Sequence, residues 1–96
     1  MAQLLNDEEI ASRLESLDWT RDGDEIVRDR EFKDFAEAIA FVNRVAEVAE
    51  EANHHPDISL HGWNKVKLAL TNHSAGGLTE VDFEMAAKFD GAAPSS

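Results

Sequence analysis

The sequence predicts an α+β fold of two layers, a four-stranded antiparallel sheet with helices packed on one face, ordered ββαββα behind an N-terminal helix. Three observations predict it. Apolar residues recur at helical spacing from Asp34 to about Ala52. Two short later segments, Ile58–Leu60 and Val66–Leu70, alternate apolar and polar side chains. Before the long helix, an Asp22-Gly23-Asp24 turn separates two strand-like runs.

Taken in order, Asn6 or Asp7 caps a first helix, with Glu9 placed to close a capping box and Ile10, Leu14 and Leu17 forming a narrow apolar stripe. Trp19–Arg21 and Glu25–Phe32 make a hairpin. Its alternation is imperfect, because arginines share the parity of Ile26 and Phe32. On the long helix, Phe35, Ala38, Ile39, Phe41, Val42, Val45, Ala46, Val48 and Ala49 fill about half the circumference at 100° per residue. That face is wider than one sheet requires, so part of it suits a second subunit, as does a deep single-domain core. Pro56 bars helical geometry at the preceding residue. The two following strands join around Gly62, and Ala75-Gly76-Gly77 is a turn. Thr79 caps a last helix bearing Val81, Met85 and Phe89.

The chain has 96 residues, which suits one domain over residues 1–90 with a flexible tail over 91–96. Twenty acidic residues against nine basic ones give a formal charge of −11. Such a surface disfavours direct contact with nucleic acid or anionic lipid. No run approaches the ~20 apolar residues needed to span a bilayer, and the N-terminus lacks a signal-peptide pattern. There is no cysteine, hence no disulfide or thiolate site. A cytoplasmic protein, associating as a homodimer or homotetramer to gain core, is the expectation.

All four histidines fall within twenty residues: His54, His55, His61 and His73. Near neutral pH a group of imidazoles donates and accepts protons in one pocket. His54 and His55 precede Pro56 at a helix–strand junction and His73 follows a strand end, where rigid elements fix loop geometry. Taken singly, each also suits solvated turn chemistry, and His61 reads as a surface residue opposite Ile58 and Leu60. Adjacent histidines diverge and no HExxH-type spacing supplies a second ligand, so a metal site is the weaker reading. Glu50 either turns toward the histidines or belongs to a solvated acidic face with Glu47 and Glu51. Asp82, on an inward face of the last helix, needs a partner. It can complete a capping box with Thr79, orient a histidine, or do both.

Glu50, three residues, His54-His55-Pro56, then Trp63, His73 and Asp82 form a spaced set that resembles the pterin-4a-carbinolamine dehydratases. The likeness extends through Phe32-Lys33-Asp34-Phe35, Asn64-Lys65-Val66 and Gly77-Leu78-Thr79-Glu80, covering most of Trp19–Phe89. The resemblance implies the same fold and dehydration of 4a-hydroxytetrahydropterin to quinonoid dihydropterin, with neither metal nor organic cofactor. By resemblance, His54 and His73 are candidate acids and His55 the candidate base, with Glu50 supporting His54 and Asp82 the local architecture. The pterin is then expected against His54-His55-Pro56 and Asn72-His73-Ser74-Ala75, with Trp19 either bordering the pocket or in the core. Some relatives of this kind act instead as a non-catalytic assembly module or a dimerisation cofactor for a transcription factor. That is the alternative the resemblance leaves open.

Overall fold

Residues 3–92 are described by a computed structural model. Asn6 opens α1 (Asp7–Leu14) with the expected capping box: its side chain accepts from the Glu9 N–H at 2.8 Å, and its own N–H donates to Glu9 Oε1 at 2.9 Å. The helix stops sooner than the Ile10–Leu14–Leu17 spacing suggests, and Leu17 follows in a turn whose N–H reaches the Leu14 carbonyl.

The sheet comprises β1 (Thr20–Asp22), β2 (Glu25–Glu31), β3 (Asp57–His61) and β4 (Lys65–Leu70), all antiparallel in the order β1-β2-β4-β3. Its register pairs Ile26 with Leu70 and Leu60 with Val66, so the buried Ile26, Val66, Leu68 and Leu70 share one face. Against that face lie α2 (Phe35–Ala52), through Ala38, Phe41, Val45 and Ala49, and α3 (Glu80–Ala92), through Phe83, Met85, Ala86 and Phe89. Each fully buried side chain of Phe or Leu size contributes about 1.5–3 kcal/mol. The opposite face carries Lys65, Lys67, Asp57, Ser59 and His61 in the open.

The arginines of β2 are explained by their surroundings. Arg28 and Arg30 lie on the helix-facing side with Ile26 because antiparallel parity requires it. Arg28 bonds Asp90 of α3 at 2.7 Å. The Arg30 guanidinium stacks 5.9 Å and 5.7 Å from the Phe32 and Phe41 ring centres. Burial pushes its pKa below the ordinary arginine value. Their apolar stems cover core while the charged heads find partners.

The apolar face of α2 divides. Ala38, Phe41, Val45 and Ala49 are buried, whereas Phe35 and Ile39 remain 52% and 38% exposed. At the other end of the chain α3 runs on to Ala92, so the first two residues of the expected tail are helical. Phe89 is buried, Asp90 is held by Trp19 and Arg28, and Ala92 packs on the core, so the last turn is anchored. Residues 93–96 of the expected tail lie outside the described ones. Among the described residues no helix is long and apolar enough to cross a membrane.

Candidate active site

The site begins at the end of α2. Asn53 takes the left-handed conformation (φ 52°, ψ 41°), and its N–H donates to the Glu50 carbonyl. The N–H of His54 donates to the Ala49 carbonyl at 3.1 Å. These two bonds form a Schellman motif, which satisfies the last carbonyls and turns the chain sharply out of the helix. Asparagine tolerates this geometry better than most residues. Pro56 then commits the backbone to β3.

That reversal decides which carboxylate meets which imidazole. His54 tucks toward α3, where its Nε2 lies 2.7 Å from Asp82 Oδ1; its side chain is 14% exposed and that of Asp82 0%. His55 turns outward, with Nε2 3.0 Å from Glu50 Oε1, and both side chains are open to solvent. Glu50 therefore meets His55, not His54 as the resemblance implied. An i, i+4 relation with His54 would need the helix to continue through Asn53, and it does not.

Asp82 meets both of its expected partners, but only half of a capping box forms, because the Thr79 hydroxyl donates to Asp82 and does not accept from its N–H. While Oδ1 faces His54, Oδ2 accepts from the Thr79 N–H at 2.8 Å and the Thr79 hydroxyl at 3.2 Å. A buried carboxylate at the third residue of α3 is compensated by the buried Thr79 N–H and hydroxyl and by the imidazole. An ionised carboxylate only accepts, so the proton sits on Nε2 of both His54 and His55.

The second half of the expected site is the loop after β4. Asn72 organises it: its N–H donates to the Gly77 carbonyl, its own carbonyl accepts from Gly76 and Gly77, and its side chain accepts from the Ala75 N–H. Gly76 adopts φ +82°, a turn conformation that glycine takes without strain. His73 and Ser74 stand exposed on this loop. The β3–β4 register pairs Asp57 with Ala69. The histidine turn and the His73 loop thus leave the same end of the sheet, and Thr79–Asp82 ties the far side of that loop to His54. A cavity of about 320 Å³ beside His73 is lined by Asp24, Glu25, Thr71, Asn72, Gly76 and Gly77, without His54 or His55.

Over residues 3–92 the chain matches the family model for pterin 4 alpha carbinolamine dehydratase. The chain belongs to this dehydratase family. A relative in Trichormus variabilis, provisionally named a pterin-4-alpha-carbinolamine dehydratase, is 57% identical over 88 residues, covering 91% of this chain and 94% of that one. One in Natronomonas pharaonis with the same provisional name is 44% identical over 90 residues, covering 94% and 96%. Among solved structures, a transcriptional coactivator/pterin dehydratase from Brucella melitensis superposes with a TM-score of 0.89 at 35% identity, over 96% of this chain and 100% of that one. A pterin dehydratase-like protein identified as a RuBisCO assembly factor in the alpha-carboxysome gives 0.65 at 26% identity, over 81% and 89%.

Trp19, in this dehydratase-family chain, takes the core position of its two expected ones. It is 3% exposed, and its indole N–H donates to both Asp90 oxygens at 3.1 Å and 3.2 Å, which leaves almost no surface for a ligand. His61 lies exposed on the open face of β3, away from the His54–Asp82 pair. Among the described residues, no three His, Cys, Asp or Glu side chains gather in a metal-holding group. Sequence reasoning missed Asn53, although an asparagine at the end of a strong helical pattern signals a left-handed cap.

Proposed function

We propose that the chain is a dehydratase that converts 4a-hydroxytetrahydropterin to quinonoid dihydropterin and water, in a cytoplasmic cycle that regenerates a tetrahydropterin cofactor. One observation carries the reading: the 2.7 Å bond between the half-enclosed His54 and the buried Asp82, itself fixed by Thr79. A surface histidine needs no such support. A proton-transferring one does, because its tautomer and angle must be held through the reaction.

In the reaction the C4a–O bond breaks as the hydroxyl takes a proton and leaves as water. The N5–H proton goes to a base, and its electrons close the C4a=N5 double bond. Hydroxide leaves poorly near neutral pH, so a positioned acid is needed, and such groups contribute about 10²–10⁴-fold. His54 and His73 are assigned the acid side and His55 the base side, acting as a coupled set. The pterin lies between His54-His55-Pro56 and the Asn72–Ala75 loop, and Glu50 holds the His55 ring as Asp82 holds that of His54.

The test follows the decay of enzymatically generated 4a-hydroxytetrahydropterin optically. Acceleration by the protein, surviving exhaustive chelation, supports the proposal. Unchanged decay would move the chain to the protein-binding side of the family, and sensitivity to chelation would revive a metal site.

A further inference from the structure

The loop that carries His73 is fastened at both ends by elements that take no part in the proposed site. At its entry the Thr71 hydroxyl donates to the carbonyl of Asp24, in the turn between β1 and β2, at 2.6 Å. At its exit the Leu5 N–H donates to the Leu78 carbonyl at 3.0 Å, and Leu4 forms an isolated antiparallel bridge with Thr79. The short segment from Gly77 to Thr79 serves both halves of the site. Gly77 closes the His73 loop by exchanging hydrogen bonds with Asn72, and Thr79 holds Asp82 opposite His54.

Leu4 rests on the glycine of that segment. A methyl group placed on Gly77 would lie 3.1 Å from Leu4 Cδ2, inside ordinary contact distance, so the leucine already fills that side of the glycine. Yet Leu4 is 51% exposed, and it is Leu5 that packs against the core. Nor does α1 depend on Leu4 for its own docking. Ile10 is buried, Arg13 Nε donates to Glu80 at 2.8 Å, and Arg21 holds Asp7 at 2.8 Å. A cavity of about 400 Å³ lined by Leu4, Leu5, Arg13 and Thr79 leaves the side chain room to swing off Gly77. A leucine half open to solvent adds little to global stability. Its contact falls instead on the loop that sets where His73 stands.

We propose that Leu4 is a positioning residue for the pterin: seated on Gly77, it keeps the His73 loop in the geometry that meets the ring. This rests on the dehydratase reading, which gives His73 its place in the site. A loop released at its exit holds that geometry for only a fraction of the time, and apparent affinity falls by the same fraction. Once bound, the pterin itself holds the loop, so turnover is kept. Leu4→Ala should therefore raise KM for 4a-hydroxytetrahydropterin about 3–10-fold with kcat within about twofold. Leu4→Met, which refills the contact, should restore the wild-type KM. In Leu4→Ala the Gly76 and Gly77 N–H groups, both bonded to the Asn72 carbonyl, should exchange faster with deuterated solvent, while β4 amides and the urea midpoint hold. Gly77 is not left-handed, so its backbone accepts alanine. Gly77→Ala alone crowds Leu4 and should raise KM, whereas added to Leu4→Ala, which vacates the space, it should raise KM no further. Unchanged KM or unchanged exchange in Leu4→Ala would overturn the proposal. So would a kcat that falls as far as kcat/KM, or strictly additive effects of the two substitutions. A wild-type protein that leaves the pterin's decay unaltered takes down both readings; an active wild type with an unaffected Leu4→Ala takes down this one alone.

Discussion

Replacing Asp82 by asparagine probes the site at its most enclosed point. The amide keeps the shape of the carboxylate, but one of its two atoms must now donate. The Thr79 N–H and hydroxyl converge on Oδ2, so the amide oxygen belongs there and the NH₂ group faces His54. Meeting that donor, His54 Nε2 must become an acceptor, and its proton moves to Nδ1. Hydrogen bonds to a charged group contribute about 1.5–3 kcal/mol and neutral ones about 1 kcal/mol. With the bonds to His54 and Thr79 both weakened, the fold should lose about 1–3 kcal/mol. Urea denaturation reads this as a lower midpoint at unchanged slope. Dehydration, if His54 transfers a proton, should slow about 10²-fold or more, because a neutral amide no longer supports the doubly protonated ring from which an acid donates through Nδ1. Imidazole ¹⁵N shifts decide directly between the two arrangements. Wild-type His54 should show a protonated Nε2, and Asp82→Asn a protonated Nδ1. An unchanged tautomer together with unchanged stability would refute the reasoning.

Three further outcomes are expected. His73→Ala should abolish most of the rate acceleration while changing the unfolding free energy in urea by no more than about 0.5 kcal/mol, as for other exposed surface changes. At the end of α2, Asn53→Gly should be tolerated, whereas Asn53→Val should cost about 1–2 kcal/mol, since a β-branched residue resists the left-handed conformation. Asp90→Ala should cost about 1–3 kcal/mol by denaturation, because the buried Trp19 N–H and the Arg28 guanidinium both lose their acceptor.

Elements set by periodicity were legible in the sequence. The helical spacing from Asp34 placed α2 with its cap, and the alternation at 58–61 and 65–70 placed both later strands and the buried face of β4, whereas Ile58 of β3 stays exposed. Local chemistry was legible too, as in the Asn6–Glu9 box and the double use of Asp82. What pattern could not supply was the partner of a long or turn-borne side chain. Arg28 and Arg30 break the alternation of β2, yet their stems lie on core because Asp90 and the rings of Phe32 and Phe41 arrive from elsewhere in the chain. The pairing of Glu50 with His55 depends on one left-handed residue, which reverses the direction that helical spacing would give. The 52% exposure of Phe35 likewise depends on how α2 is rolled on the sheet, which its own apolar arc is too broad to fix.

In the proposed site three imidazoles serve one ligand while the fourth stands apart. Histidine-selective ¹H–¹⁵N spectra recorded during titration with a 7,8-dihydropterin test it most directly. Saturable shifts with one common affinity are expected at His54, His55 and His73, and none at His61. Shifts confined to His54 and His55, with His73 unmoved at saturation, would contradict it.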